Sequence, residues 1–273
     1  MATGSLTIAL AQMSVVRGHV RANLETASRM IREAAARGAE LVLLPELWST
    51  GYDLARSSAH ARITRTEVLP ALGALGRELG VFIAGSVLLD DGDERVFNSL
   101  LVIGPTGVIA SRYDKVHLFG LLEEDLYLTP GSETATVSMP SCEAGLAICY
   151  DLRFPELFLA YALGGASLVL VPAEWPAVRR THWRTLVRAR AIENAYYVAA
   201  CNCAGISGPT LFGGHSLVVD PWGQILCEGS EDDELLIATI ERARVRAARS
   251  TIPALADRRP DVYAPSLSMM SVP

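Results

Sequence analysis

Short, wholly apolar runs alternate along this chain with longer stretches in which apolar residues recur every three or four positions. Leu6 to Gln12 reads as a buried opening strand. His19 to Arg37 carries Val20, Leu24, Ala27, Met30, Ile31 and Ala34 at helical spacing, with arginines and glutamates between them, and Gly38 stops it. Leu41 to Leu44 is a second apolar strand, ended by Pro45-Glu46. Strand, helix and strand in that order make a right-handed crossover, so the sheet is at least partly parallel.

Further on, Trp48 to Tyr52 reads as a loop around Gly51, and Thr66 to Leu79 as a helix ended by Gly80. Val81–Leu89, Val96–Ile103 and Val108–Tyr113 form a meander with turns at Asp90-Asp-Gly-Asp and Pro105-Thr-Gly. Ala135–Met139 and Gly145–Ile148 are the next strands, and Pro155 opens a helix at the position that tolerates proline. Strand Ser167–Val171, helix Thr181–Ala195 and strand Tyr197–Cys201 follow. His215–Val219, Gln224–Cys227 and Leu235–Ile240 are the last strands, before a helical Arg242–Arg249 and an irregular tail. No repeat or linker interrupts the series. Roughly twelve strands and about five helices predict a single α/β domain spanning residues 1–273, with two sheets rather than one.

Composition narrows what such a fold does. Half of the 273 residues are hydrophobic, enough for a large core, and the net charge of −6 with no basic cluster argues against nucleic acid. Leu157 to Ala173 is the longest uncharged apolar stretch. It is shorter than the ~20 residues a membrane span needs, and Gly164-Gly165 breaks it. The start, Met1-Ala-Thr-Gly-Ser-Leu, has no signal-peptide pattern. The expectation is a soluble, cytoplasmic protein. Its five cysteines, an odd number, read as free thiols, and Cys201-Asn-Cys203 has no partners at zinc-like spacing, so no metal site is expected.

One count is unusual: Lys115 is the only lysine, against 23 arginines. An isolated ammonium in such a chain suggests a site that needs a compact point charge. Two further residues share its setting. Glu46 follows the strand Leu41–Leu44, Lys115 follows Val108–Tyr113, and Cys149 follows Leu146–Ile148. Each has an ordinary explanation: a first-turn helix charge for Glu46, a solvated pair with Asp114 for Lys115, a buried core thiol for Cys149. None of these explains why all three end strands. If the strands are neighbours, the three side chains leave along one sheet edge. A thiol could then attack a carbonyl, a carboxylate take its proton, and an ammonium stabilise the oxyanion.

The surrounding blocks are Pro45-Glu46-Leu-Trp with Thr50-Gly-Tyr52, Tyr113-Asp-Lys115-Val-His-Leu-Phe119, and Ile148-Cys149-Tyr-Asp-Leu-Arg-Phe-Pro-Glu156. They resemble the three signature blocks of the nitrilase, or carbon–nitrogen hydrolase, superfamily, and the likeness runs from Leu6 to Tyr263. The resemblance implies a four-layer αββα sandwich with two mixed sheets, and a homodimer or dimer-based oligomer formed through helices near the nucleophile. It also implies Glu46 as general base, Cys149 as nucleophile, and Lys115 with the Tyr150 N–H as oxyanion hole, in a reaction that needs no metal or organic cofactor. A supporting glutamate is implied too; spacing to Thr129-Pro-Gly131 favours Glu124 over Glu123.

Ala173-Glu-Trp-Pro176, His182-Trp183 and Ala189-Arg-Ala-Ile-Glu-Asn194 resemble the omega-amidase branch, which releases ammonia from small 2-oxo acid amides such as 2-oxoglutaramate. The carboxylate of such a substrate calls for a cation, and Arg153 is the candidate, with Trp175 and Tyr52 completing the expected substrate-binding set. Arg179 and Arg180 read as exposed charges where the next helix begins. The alternatives are an N-carbamoyl amide hydrolase, an aliphatic amidase or nitrilase, and a catalytically silent scaffold.

Overall fold

The computed structural model describes residues 4–93 and 95–263; residues 1–3, Glu94 and 264–273, which the expected domain span includes, lie outside the described residues. One six-stranded sheet takes β1 (Ser5–Gln12), β2 (Leu41–Leu43), β3 (Phe82–Asp90), β4 (Val96–Ile103) and β5 (Ile109–Asp114), and β14 (Glu234–Glu241) from the far end of the chain. Its order is β14-β1-β2-β3-β4-β5. The second, also six-stranded, holds β6 (Thr136–Met139), β7 (Cys142–Leu146), β8 (Leu168–Ala173), β9 (Tyr197–Asn202), β12 (Leu217–Val219) and β13 (Ile225–Glu228). It runs β13-β12-β9-β8-β7-β6. Both sheets are mixed: β1, β2 and β3 are parallel neighbours, as are β7, β8 and β9. A hairpin of β10 (Ala204–Ser207) and β11 (Thr210–Gly213) stands apart.

Side-chain alternation explains the layering. Leu6, Ile8 and Leu10 of β1, and Leu41 and Leu43 of β2, enter the core between the sheets with Leu146, Leu168 and Ala199 of the facing sheet. The intervening Ala9, Ala11 and Val42 face the other way. They pack under α1 (Val20–Ala36), which turns Ala27, Met30, Ile31 and Ala34 inward, and under Leu72 and Leu75 of a second helix. That helix starts earlier than expected: α2 (Ser57–Ile63) runs through a π-turn at Thr64–Val68 into α3 (Leu69–Leu79). After the one-turn α4 (Glu124–Tyr127), the helices α5 (Pro155–Leu163) and α6 (Arg180–Asn194) cover the outer face of the second sheet with Phe158, Tyr161, Trp183 and Val187. The layers are therefore helix, sheet, sheet, helix. The C-terminal helix is α7 (Arg242–Thr251). Among the described residues no helix is long and apolar enough to cross a membrane.

One expectation needs correcting. The three reactive residues do not leave a single sheet edge. Glu46 and Lys115 belong to the first sheet, where β2 and β5 are separated by β3 and β4, whereas Cys149 follows β7 of the second. They meet because the two sheets face each other.

Candidate active site

The site forms where strand ends of both sheets point at one another. Glu46 lies just beyond β2, Lys115 directly after β5, Glu124 at the start of α4, Cys149 beyond β7 and Glu174 directly after β8. Glu46, Lys115 and Glu124 are fully buried and Cys149 is 5% exposed. Lys115 Nζ donates to Glu46 Oε1 and to Glu124 Oε2, both at 2.7 Å. Asn98, in the middle of β4, ties the two carboxylates together by donating to Glu46 Oε1 at 2.8 Å and Glu124 Oε1 at 3.0 Å. The Glu174 backbone N–H holds Glu46 Oε2 at 2.9 Å, and the Phe119 N–H holds Glu124 Oε2 at 2.7 Å.

Geometry distinguishes the two adjacent glutamates. Glu123 takes a left-handed backbone (φ 61°) and is exposed, and the turn it makes swings Glu124 inward. Tyr52 reaches the same carboxylate, its hydroxyl 3.5 Å from Glu124 Oε1.

Cys149 is presented on a strained turn. Its φ of 45° is a conformation that non-glycine residues rarely adopt. Asp151 over-determines that turn. This buried carboxylate accepts from the Ile148 N–H at 2.9 Å, the Tyr113 hydroxyl at 2.8 Å, the His117 N–H at 3.1 Å, and pairs with His117 Nδ1 at 2.7 Å. Cys149 opens a short 3₁₀ turn, Cys149–Arg153, whose first internal bond runs from the Asp151 N–H to the Ile148 carbonyl. The Tyr150 N–H precedes that bond and has no acceptor within the turn, as at any helix start. Beneath the turn, Gly145 leaves room for the Tyr161 ring, 2.5 Å from where a Cβ would sit.

Electrostatics assign the resting charges. Burial works against the Lys115 ammonium, but the facing carboxylates of Glu124 and Glu46 outweigh it and hold the lysine well above its ordinary range. Burial pushes the Cys149 thiol far up, and the negative Glu46 beside it, to which it hydrogen-bonds, pushes it further. The site at rest therefore pairs a neutral thiol with a base already in contact. Proton transfer to that base during attack is the chemistry this arrangement supports.

A narrow cleft reaches Cys149 and is lined by Phe119, Tyr150, Arg153, Glu174, Trp175 and Arg179 among others. Arg153 lies over the Trp175 ring at 5.0 Å and meets His182 Nδ1 at 3.2 Å. Arg179, expected as an exposed charge, instead lies over the Phe119 ring at 5.6 Å and lines the same cavity. Of the sequence candidates, Arg153, Trp175 and Tyr150 line the cavity with Cys149, while Tyr52 sits behind it against Glu124. Two residues of the site escaped sequence reasoning: Asn98 and Glu174. Glu174 is a charged residue in an apolar run and Asn98 stands with Ser99 inside another, which was the available signal.

Residues 7–250 match the Carbon-nitrogen hydrolase family. The chain belongs to that family. Among carbon-nitrogen hydrolases, a 2-oxoglutaramate amidase of Bacillus subtilis (strain 168) is 38% identical over 258 residues, covering 94% of this chain and 99% of its own. Human omega-amidase NIT2 is 32% identical, covering 89% of this chain and 91% of its own. The crystal structure of XC1258 from Xanthomonas campestris, a CN-hydrolase superfamily protein with an arsenic adduct in its active site, superposes with a TM-score of 0.87 at 32% identity, covering 93% of this chain and 97% of that one. A mutant of the amidase from Nesterenkonia sp. AN1 aligns with a TM-score of 0.87 at 29% identity, covering 96% of this chain and 98% of its own. Its structure shows covalent addition of the acetamide moiety of fluoroacetamide at the active site cysteine.

Proposed function

We propose that this carbon-nitrogen hydrolase is a cysteine-dependent omega-amidase that hydrolyses the terminal amide of 2-oxoglutaramate or a closely similar 2-oxo acid amide. One observation carries the chemistry: a thiol at the floor of a cleft stands beside a buried carboxylate, and that carboxylate holds a buried ammonium at 2.7 Å. Cys149 sulfur attacks the amide carbon as its proton passes to Glu46. The oxyanion is taken up by Lys115 Nζ and the Tyr150 N–H. Glu46 passes the proton to nitrogen, the C–N bond breaks, ammonia departs, and a thioester remains on Cys149. Water, deprotonated by Glu46, adds to the thioester; the C–S bond breaks, the acid leaves and the thiol regains its proton. Glu124 keeps Lys115 aimed and charged.

The substrate choice draws on the amidases this chain resembles and on the cavity's two guanidiniums. Arg153 and Arg179, each braced on an aromatic ring, suit a carboxylate at the far end of a short acyl chain. Ammonia release from 2-oxoglutaramate, 2-oxosuccinamate, glutamine, N-carbamoyl amino acids and simple nitriles tests the reading. The 2-oxo amides are expected to be preferred. Rapid turnover of a nitrile or carbamoyl compound, with none of 2-oxoglutaramate, would sink it.

The same reading places the protein in the cytoplasm, as its five free cysteines suit, and makes it a dimer. An apolar groove beside α6, lined by Ile192, Trp222, Ile252, Pro253 and Leu255, supports a second copy there. Sedimentation velocity returning a monomer at micromolar concentration removes the dimer.

A further inference from the structure

Glu174 is the group of the pocket that the reaction above leaves unused. It is 1% exposed, it lines the cleft with Cys149, and neither of its carboxyl oxygens has a hydrogen-bond partner among the described residues. Burial drives its carboxyl far above the ordinary carboxylate range, and the charges of Glu46 and Glu124 push the same way against Lys115 and Arg17. A buried carboxyl with no partner among the described residues destabilises the fold that carries it. An apolar side chain would serve the free protein better, so the partner has to come from outside.

A count of hydrogen bonds around the scissile amide identifies it. The carbonyl oxygen goes to Lys115 and the Tyr150 N–H. The amide –NH2 brings two donors into the same buried space. A carboxylate has about four acceptor positions, and Glu46 has filled them. Oε1 accepts from Lys115 and Asn98, Oε2 accepts from the Glu174 N–H, and the Cys149 thiol takes the remaining place. Among the residues lining the cavity, only Glu174 carries buried side-chain oxygens without a partner.

We propose that Glu174 is a substrate-recognition residue: one of its carboxyl oxygens accepts a hydrogen bond from the amide –NH2, so that the pocket selects primary amides over acyl compounds that lack an N–H. The inference rests on the amidase reading and deepens it. An un-ionised carboxyl suits the task because it offers an acceptor without adding a third negative charge beside Glu46 and Glu124.

The test compares kcat/KM for 2-oxoglutaramate with that for the methyl ester carried at the same carbon, using the full chain and its Glu174→Leu and Glu174→Gln variants. Leaving the amide N–H unpaired predicts a loss of about 10- to 100-fold for Glu174→Leu on the amide and under about 3-fold on the ester. Glu174→Gln keeps an uncharged carbonyl acceptor and is expected to stay within about 3-fold of wild type on both compounds. Thermal melts separate recognition from structure: Glu174→Leu is expected to melt at or above the wild-type temperature, because it removes an unpaired buried carboxyl. Equal losses on amide and ester, no loss on the amide, or a Glu174→Gln variant as impaired as Glu174→Leu would each overturn the proposal. A wild-type protein that hydrolyses neither compound counts against the amidase reading and takes this inference with it.

Discussion

Lys115 and Cys149 are held in states that their surroundings dictate, and substitution tests each separately. Cys149→Ala removes the proposed attacking atom and is expected to bring ammonia release to background while circular dichroism stays native. Lys115→Arg keeps the charge but replaces a compact ammonium, clamped between two carboxylates at 2.7 Å, with a planar fork that has no room there. A loss of about 100-fold or more in kcat is expected, the scale of removing one oxyanion donor. An active Lys115→Arg would show that the solitary lysine is incidental. Both residues were legible in the sequence, as the single lysine and as the cysteine that ends a strand before a turn. Asn98 and Glu174 were not. Asn98 sits within the strand run Val96–Ile103, and its task becomes visible only when β4 places it between two carboxylates from other segments.

At the scale of elements, the site depends on backbone that never touches substrate. The Gly131 N–H bonds the Lys115 carbonyl at 2.9 Å, and a Cβ on Gly131 would lie 2.1 Å from the Asp114 carbonyl oxygen. Gly131→Ala must therefore push the end of β5 that aims the lysine. A stability loss of about 1–3 kcal/mol is expected from denaturant melts, with a fall in kcat. A variant destabilised but fully active would mean that β5 yields without moving Lys115. Most elements were readable from apolar period, and the misses have physical causes. The helix before Leu69 buries Ser57, His60, Ala61 and Thr64 and gains a large apolar anchor only at Val68, so it has no apolar stripe to read. The β10–β11 hairpin exposes Ile206 and Leu211 and buries mainly Phe212, against Val15 and Cys203, a contact known only once the chain has folded.

For the whole molecule, two sheets each supply part of a site that neither could form alone. The sequence placed the reactive residues at strand ends correctly but assumed one sheet, because nothing in local pattern tells which strands share hydrogen bonds across a hundred residues. Sandwich packing makes up the difference: β1 and β9 lie against one another, and the strand ends beyond β2, β5, β7 and β8 then close on a common pocket. Catalysis in this arrangement is sensitive to inter-sheet packing as well as to the residues of the pocket.

The lone lysine has a further use. Because Lys115 is the only lysine in the chain and is fully enclosed, amine-directed reagents find no lysine on the native surface. Acylation at Lys115 then reports the fraction of molecules that have opened the sandwich, so the protein carries its own chemical probe of the sheet-to-sheet contact on which its pocket depends.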